Sequence, residues 1–252
     1  MARYQVILAY DGTDFKGFQR QAGGARTVQG VVEAALCQLG WQGVSILAAG
    51  RTDTGVHASG QVIAFDLEWR HSDAALLAAI NANLPQDVAA RTVHLVQPGF
   101  HPRYDALARC YRYRLFCQAN RDPIRERYAW RVWPAVDLPR LEQSVKLLTG
   151  TYDFAAFGAP PRAGGTTMRS VFQAGWVQED DDLIFDVLAN AFLYHMVRRL
   201  VGLQVAIGQG RIEPQAVLES LRSDRPGVVK ELAPAHGLTL VEVMYPQTSV
   251  AE

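Results

Sequence analysis

Within Gly50-Arg51-Thr52-Asp53-Thr54-Gly55-Val56-His57 a carboxylate, a guanidinium, an imidazole and two hydroxyls crowd a short glycine-bounded segment between apolar runs. On a tight strand-to-strand connection the backbone fixes side-chain geometry, which a reacting carboxylate requires. Arg51 beside Asp53 favours the ionised carboxylate, which suits a nucleophile and not a proton donor. The bland explanation is a hairpin closed by Asp and Gly, but a hairpin does not call for Arg51 and His57 as well. Asp53-Thr54-Gly55 also matches the aspartic-peptidase triplet. That chemistry needs two carboxylates sharing a proton, and the sequence holds one such triplet, beside an arginine that opposes the shared proton.

Two other stretches carry candidate chemistry. Between His101 and Arg131 eight arginines stand against Asp105, Asp122 and Glu126, interleaved with Tyr104, Tyr111, Tyr113, Phe116, Tyr128 and Trp130. Guanidinium groups alternating with flat rings suit RNA backbone contacts and base stacking, or a packed core. Alternation in Arg109-Cys110-Tyr111-Arg112-Tyr113-Arg114 predicts a strand with both tyrosines on one face and Arg112 and Arg114 on the other. In Leu193-Tyr194-His195-Met196-Val197-Arg198-Arg199 an amphipathic helix is expected, with His195, Arg198, Arg199 and Gly202 opposite its apolar stripe. The bland reading is a solvated helix face; the functional one is a buried guanidinium supplied to Asp53. His57 and His195 lack supporting carboxylates or thiols for a metal site.

The whole chain must position these groups. Its 252 residues, 49% hydrophobic, suffice for one large or two medium domains. Charge balances at 25 against 25, so no global field draws the protein to a polyanion and any such site is local. The cations are 22 Arg and 3 Lys, a bias that genome composition explains as well as phosphate binding does. Cys37, Cys110 and Cys117 show neither CxxC spacing nor nearby His, which argues against a disulfide framework or structural zinc. No apolar run approaches the roughly 20 residues that cross a bilayer, and no signal-peptide pattern opens the sequence. A soluble cytoplasmic protein without membrane association is expected.

Strands are predicted at 3–10, 44–48, 60–67 and 88–96, with helices after the capping residues Thr27 and Ser72. The first hundred residues therefore follow the β-α-β-β-α-β order of a ferredoxin-like unit. Beyond Pro98-Gly99 come a strand over 109–116, a hairpin at 121–133, and a helix capped by Asp137 and stopped by Gly150. Next are a mobile loop at 159–165, strands 168–177 and 183–188 around a solvated acidic turn at 179–182, the helix near 193–201, a shorter one after Pro214, and a last strand at 238–245. Setting aside the hairpin and the extra helix, this half repeats the order. An α+β protein of two ferredoxin-like units with sheets side by side is expected, 1–98 carrying the catalytic loop and 99–252 the basic, aromatic segment.

The segment from Gly50 to His57, followed by Gly60-Gln61-Val62, resembles the catalytic motif of the tRNA pseudouridine synthase A family. Three further stretches resemble it in order and spacing: Phe100-His101-Pro102-Arg103-Tyr104 running into Arg109-Cys110-Tyr111-Arg112-Tyr113, Ala191-Phe192-Leu193-Tyr194-His195-Met196-Val197-Arg198, and Ala233-Pro234-Ala235-His236-Gly237-Leu238. Together they span nearly the whole chain. Thr54 stands where many members have Ala, and Val171 where Ile is usual. The resemblance implies a pseudouridine synthase fold with an active-site cleft between the units. It implies isomerisation of uridine to pseudouridine at positions 38, 39 and 40 of the tRNA anticodon stem-loop, by a homodimer, without cofactor or metal. It implies Asp53 as nucleophile, Tyr111 stacked on the flipped uracil, Arg198 paired with Asp53 and Arg51 filling the space the base leaves. His57, Arg109 and Arg112 are the remaining candidate substrate contacts. The alternative is a non-catalytic RNA-binding protein of two RRM-like units, but Gly60-Gln61-Val62-Ile63-Ala64-Phe65 lacks the aromatic pattern such a unit carries on its third strand.

Overall fold

The computed structural model describes residues 1–160, 164–223 and 225–246. In chain order the elements are β1 (Ala2–Tyr10), α1 (Val28–Gln38), β2 (Leu47–Ala48), β3 (His57–Leu67), α2 (Asp73–Asn83), β4 (Val88–Val96), β5 (Ala108–Cys117), β6 (Trp130–Val132), α3 (Leu138–Val145), β7 (Gly150–Asp153), β8 (Met168–Glu179), β9 (Asp182–Ala189), α4 (Met196–Gly208), α5 (Ala216–Leu221) and β10 (Leu238–Met244). They form two compact units, one of Met1–Leu107 with 240–246, the other Ala108–Thr239. The architecture is mixed α+β, as expected.

In the first unit the strands lie in the order β4, β1, β3, β10, with β2 also on β3. Alternate residues Tyr4, Val6, Leu8 and Tyr10 of β1 are buried, as expected of a strand with one face on a core. Thr27 and Ser72 cap α1 and α2, their hydroxyls accepting from the amides of Gly30 and Ala75. Val32, Leu36, Leu76 and Ile80 are buried core residues of these helices, alongside Val6, Leu8, Ile63 and Phe65 of the strands. The boundary differs from the expected 98. This unit runs on to Leu107, whose amide donates to the Met244 carbonyl at 2.8 Å, and Tyr245 donates its hydroxyl to the Pro102 carbonyl at 2.7 Å. The chain's last strand thus belongs, from Leu240, with its first hundred residues. The strand expected at 44–48 shrinks to two residues because the Ile46 amide donates to the Glu33 carboxylate and Val44 is exposed. β3 starts three residues earlier than expected, at His57.

The second unit orders its strands β5, β9, β8, β7, with β6 also on β5. The Asp137 side chain accepts from the Arg140 amide and caps α3. That helix ends at Val145, and Gly150, at φ +132°, opens β7 instead of closing a helix. The expected hairpin at 121–133 does not form: a 3-10 turn, Arg125–Arg127, leads into β6, which pairs parallel to β5 with Leu115 opposite Trp130. Arg125 determines this path by stacking over the Phe116 ring at 4.2 Å and pairing with Asp182 at 2.6 Å. Asp182 therefore belongs to β9, and the acidic turn is not wholly solvated. Of the loop expected at 159–165, residues 161–163 lie outside the described residues. No helix among the described residues is long and apolar enough to cross a membrane.

Candidate active site

β1 and β3 position Asp53 through what flanks it. Their register pairs Leu8 with Gln61 and Tyr10 with Ala58, shifting between the two pairs. The segment from Ala49 to Val56 joins β2 to β3 and is tied at successive positions. The Ala49 amide donates to the Val62 carbonyl at 2.8 Å and the Gln61 side-chain amide to the Gly50 carbonyl at 3.1 Å. The Thr52 and Tyr10 hydroxyls share a buried 2.8 Å hydrogen bond, and the Phe18 amide donates to the Thr52 carbonyl at 3.0 Å. The turn closes when the Val56 amide donates to the Asp53 carbonyl at 3.1 Å, with Gly55 at φ +78°. Residue 53 is half-buried and residue 51 exposed, so a buried Thr52 separates a guanidinium at the surface from a carboxylate at its margin.

A second backbone segment braces the first. Gly12 lies so close to Val56 that a Cβ would collide with its carbonyl, and Gly17, at φ +91°, approaches the Thr52 carbonyl. His57 is buried and its Nδ1 accepts from the Gly12 amide at 2.9 Å. In the neutral ring, an Nδ1 that accepts leaves the proton on Nε2. Asp11 Oδ1 lies 3.2 Å from the same nitrogen, so the ring sits between a backbone donor and a carboxylate. His57 thus has a tie within its own unit that its sequence position did not reveal.

In the second unit Tyr111 meets Phe192 edge-on, centroids 5.0 Å apart at 82°, a favourable arrangement that limits ring rotation. The Arg198 Nε donates to the Ala233 carbonyl at 2.8 Å and the Ala233 amide returns a bond to the Arg198 carbonyl at 3.1 Å. Arg199 donates to the Phe157 carbonyl at 3.1 Å, and Gly202 is buried against the backbone of Glu231. The polar face of α4 is therefore packed, which overturns the solvated reading. Burial pushes the neighbouring Tyr113 hydroxyl well up, against an opposing effect of the Arg198 charge; that hydroxyl donates to the Pro234 carbonyl at 2.9 Å.

Much of the arginine patch is engaged within its unit. Arg109 Nη1 donates to the Asn190 carbonyl at 2.7 Å, and Arg112 grips Asp186 through Nε and Nη2, both at 2.8 Å. Arg125 is held by Asp182, and Arg121 and Arg131 flank Glu126. Among the described residues no group of three or more His, Cys, Asp and Glu side chains is arranged to hold a metal ion.

Sequence reasoning missed Tyr10 and Gly12 as parts of this site, and it placed Gln61 in the motif without giving it a role. The one available signal was Tyr10-Asp11-Gly12 closing β1, and nothing in its spacing from residue 52 or 57 announces contact.

A family model described as tRNA pseudouridine synthase matches residues 6–105 and 145–246. Relatives named tRNA pseudouridine synthase A include one from Chloroflexus aurantiacus, 40% identical over 253 residues covering 98% of this chain and 90% of that protein. One from Syntrophotalea carbinolica is 39% identical over 99% of both chains. One from Shouchella clausii is 37% identical over 98% of this chain and 95% of that protein.

Proposed function

The chain belongs to the tRNA pseudouridine synthase family, and from that premise we propose that it isomerises uridine to pseudouridine at positions 38, 39 and 40 of the tRNA anticodon stem-loop. The observation that carries the reading is the half-buried Asp53 on a segment tied at Gly50, Thr52 and Val56, within the residues the family model matches.

The reaction moves one base within one molecule. The N1–C1′ bond breaks, a C5–C1′ bond forms, the proton at C5 leaves and N1 gains a proton, so the atoms balance without a co-substrate. Hydrolysis of a glycosidic bond typically recruits two carboxyl groups, one to activate water; here water must be excluded and one carboxylate suffices. Asp53 is assigned to attack C1′ or to abstract a ribose proton. Tyr111, its ring steadied by Phe192, is assigned to stack on the extruded uracil, and Arg198, anchored through Nε, to pair with Asp53. Extruding a stem nucleotide costs a few kcal/mol, which contacts to the rest of the RNA offset. Arg51, being exposed, is assigned the space the base vacates. Arg109 and Arg112 are assigned to the RNA backbone; with Asp186 on the Nε and Nη2 edge of Arg112, Nη1 is the group left to face a phosphate. His57 is assigned to hold the substrate-facing segment through Gly12. A cytoplasmic homodimer is proposed, since two copies of a chain with net charge 0 can join local basic regions into one surface.

The test uses tRNA transcripts tritiated at uridine C5, each with uridine at one of positions 38, 39 and 40. Release of label from each is the expected result, and no release from any would overturn the proposal.

A further inference from the structure

Tyr10 of β1, Gln61 of β3 and Thr52 of the Asp53 segment itself are buried polar residues joined by hydrogen bonds beside Asp53. Tyr10 is 4% exposed, Thr52 7% and Gln61 0%. Burying three polar side chains is unfavourable unless they satisfy one another, and an apolar trio would fill the same space at less desolvation cost. Two bonds of this group instead fix loop atoms, the Thr52 hydroxyl and the Gly50 carbonyl. Gln61 holds the Gly50 carbonyl through its amide nitrogen, while its oxygen accepts from the Val62 amide at 3.2 Å. The Tyr10 hydroxyl, pushed up to about 12 by burial against the opposing hydrogen bonds to Thr52 and Gln61, stays neutral across the working pH range and can both donate and accept. The Thr52 carbonyl is pinned separately by Phe18. With its hydroxyl and carbonyl both held, Thr52 has little freedom to rotate the peptide that leads into Asp53.

We propose that Tyr10 and Gln61 are positioning residues that set the Asp53 carboxylate through Thr52 and the Gly50 carbonyl. The inference rests on the catalytic role proposed for Asp53. A displacement of about 1 Å in a reacting group costs on the order of a hundredfold in rate, so losing the Tyr10–Thr52 bond shows in the chemical step before it shows in substrate binding.

The experiment measures single-turnover tritium release, tRNA affinity by filter binding and thermal midpoint for wild type, Tyr10→Phe, Thr52→Val, Thr52→Ser and the double variant Tyr10→Phe/Thr52→Val. Each of Tyr10→Phe and Thr52→Val is expected to slow release about tenfold or more with affinity unchanged. The double variant is expected to be no slower than the slower single one, since both remove one bond. Thr52→Ser, which keeps the hydroxyl, is expected to retain most of the rate. Losses that multiply in the double variant, or that track the thermal midpoint and not the hydroxyl, overturn the inference. An unimpaired Tyr10→Phe beside an active wild type overturns it alone, whereas an inactive wild type overturns the catalytic reading beneath it.

Discussion

The Gly12 amide donates to Nδ1 of the buried His57 across 2.9 Å, and the same glycine leaves no room for a Cβ beside the Val56 carbonyl. One turn after β1 thereby fixes the far end of the Asp53 segment by both a hydrogen bond and contact. Gly12→Ala is predicted to lower stability by about 1–3 kcal/mol, the usual cost of forcing atoms into a packed site, and to slow tritium release by more than stability alone explains. A thermal midpoint and rate equal to wild type would show that the segment yields freely.

Tyr10 links the site to alkaline stability. Its hydroxyl titrates near 10.0 when unfolded and is raised to about 12 by burial. A tyrosine with a raised folded-state value contributes its full stabilisation below pH 10 and loses it as pH climbs toward 12. A rise from 10.0 to about 12 corresponds to roughly 2–3 kcal/mol. Tyr10→Phe should therefore weaken the alkaline fall in unfolding free energy, measured by urea titration from pH 8 to 12. A wild-type slope retained in the variant would contradict the assignment.

Arg112 offers a test of the RNA backbone contacts. If its Nη1 faces a phosphate, Arg112→Ala reduces the slope of log affinity against log salt by about one. Asp186→Asn, which removes the competing carboxylate, should strengthen binding at low salt. An unchanged slope would leave the Arg112–Asp186 pair a purely structural bridge between β5 and β9.

Arg51 is exposed, so Arg51→Ala should leave the thermal midpoint within experimental error while slowing single-turnover release about tenfold or more, because the vacated space in the RNA stem is no longer filled. A larger effect on a pre-extruded substrate, such as a transcript mismatched at the target, than on the paired one would argue against that role.

How much of this site the sequence disclosed depended on whether the contacts were local. Asp53, with Arg51 and His57 beside it, stands out because acid, base and glycine types are crowded within eight residues. Tyr10 does not, and Gln61 is legible only as part of a motif, since what each touches depends on the register of β1 against β3 and on a shift between Leu8 and Tyr10. Capping by Thr27, Ser72 and Asp137 was readable because a cap is made within three residues. The path of 121–133 was not, because Arg125 is directed by Phe116 and by Asp182, 57 positions away. Likewise Arg198 and Arg199 have the spacing of a solvated face, and only the distant carbonyls of Ala233 and Phe157 reveal that the face is packed.

Asp53 is assigned the chemistry and not the binding of tRNA. The most direct measurement compares tritium release and tRNA affinity for wild type and Asp53→Asn. Asp53→Asn is expected to bind tRNA with affinity close to that of wild type and to release no label above background. Release at the wild-type rate by Asp53→Asn would contradict it.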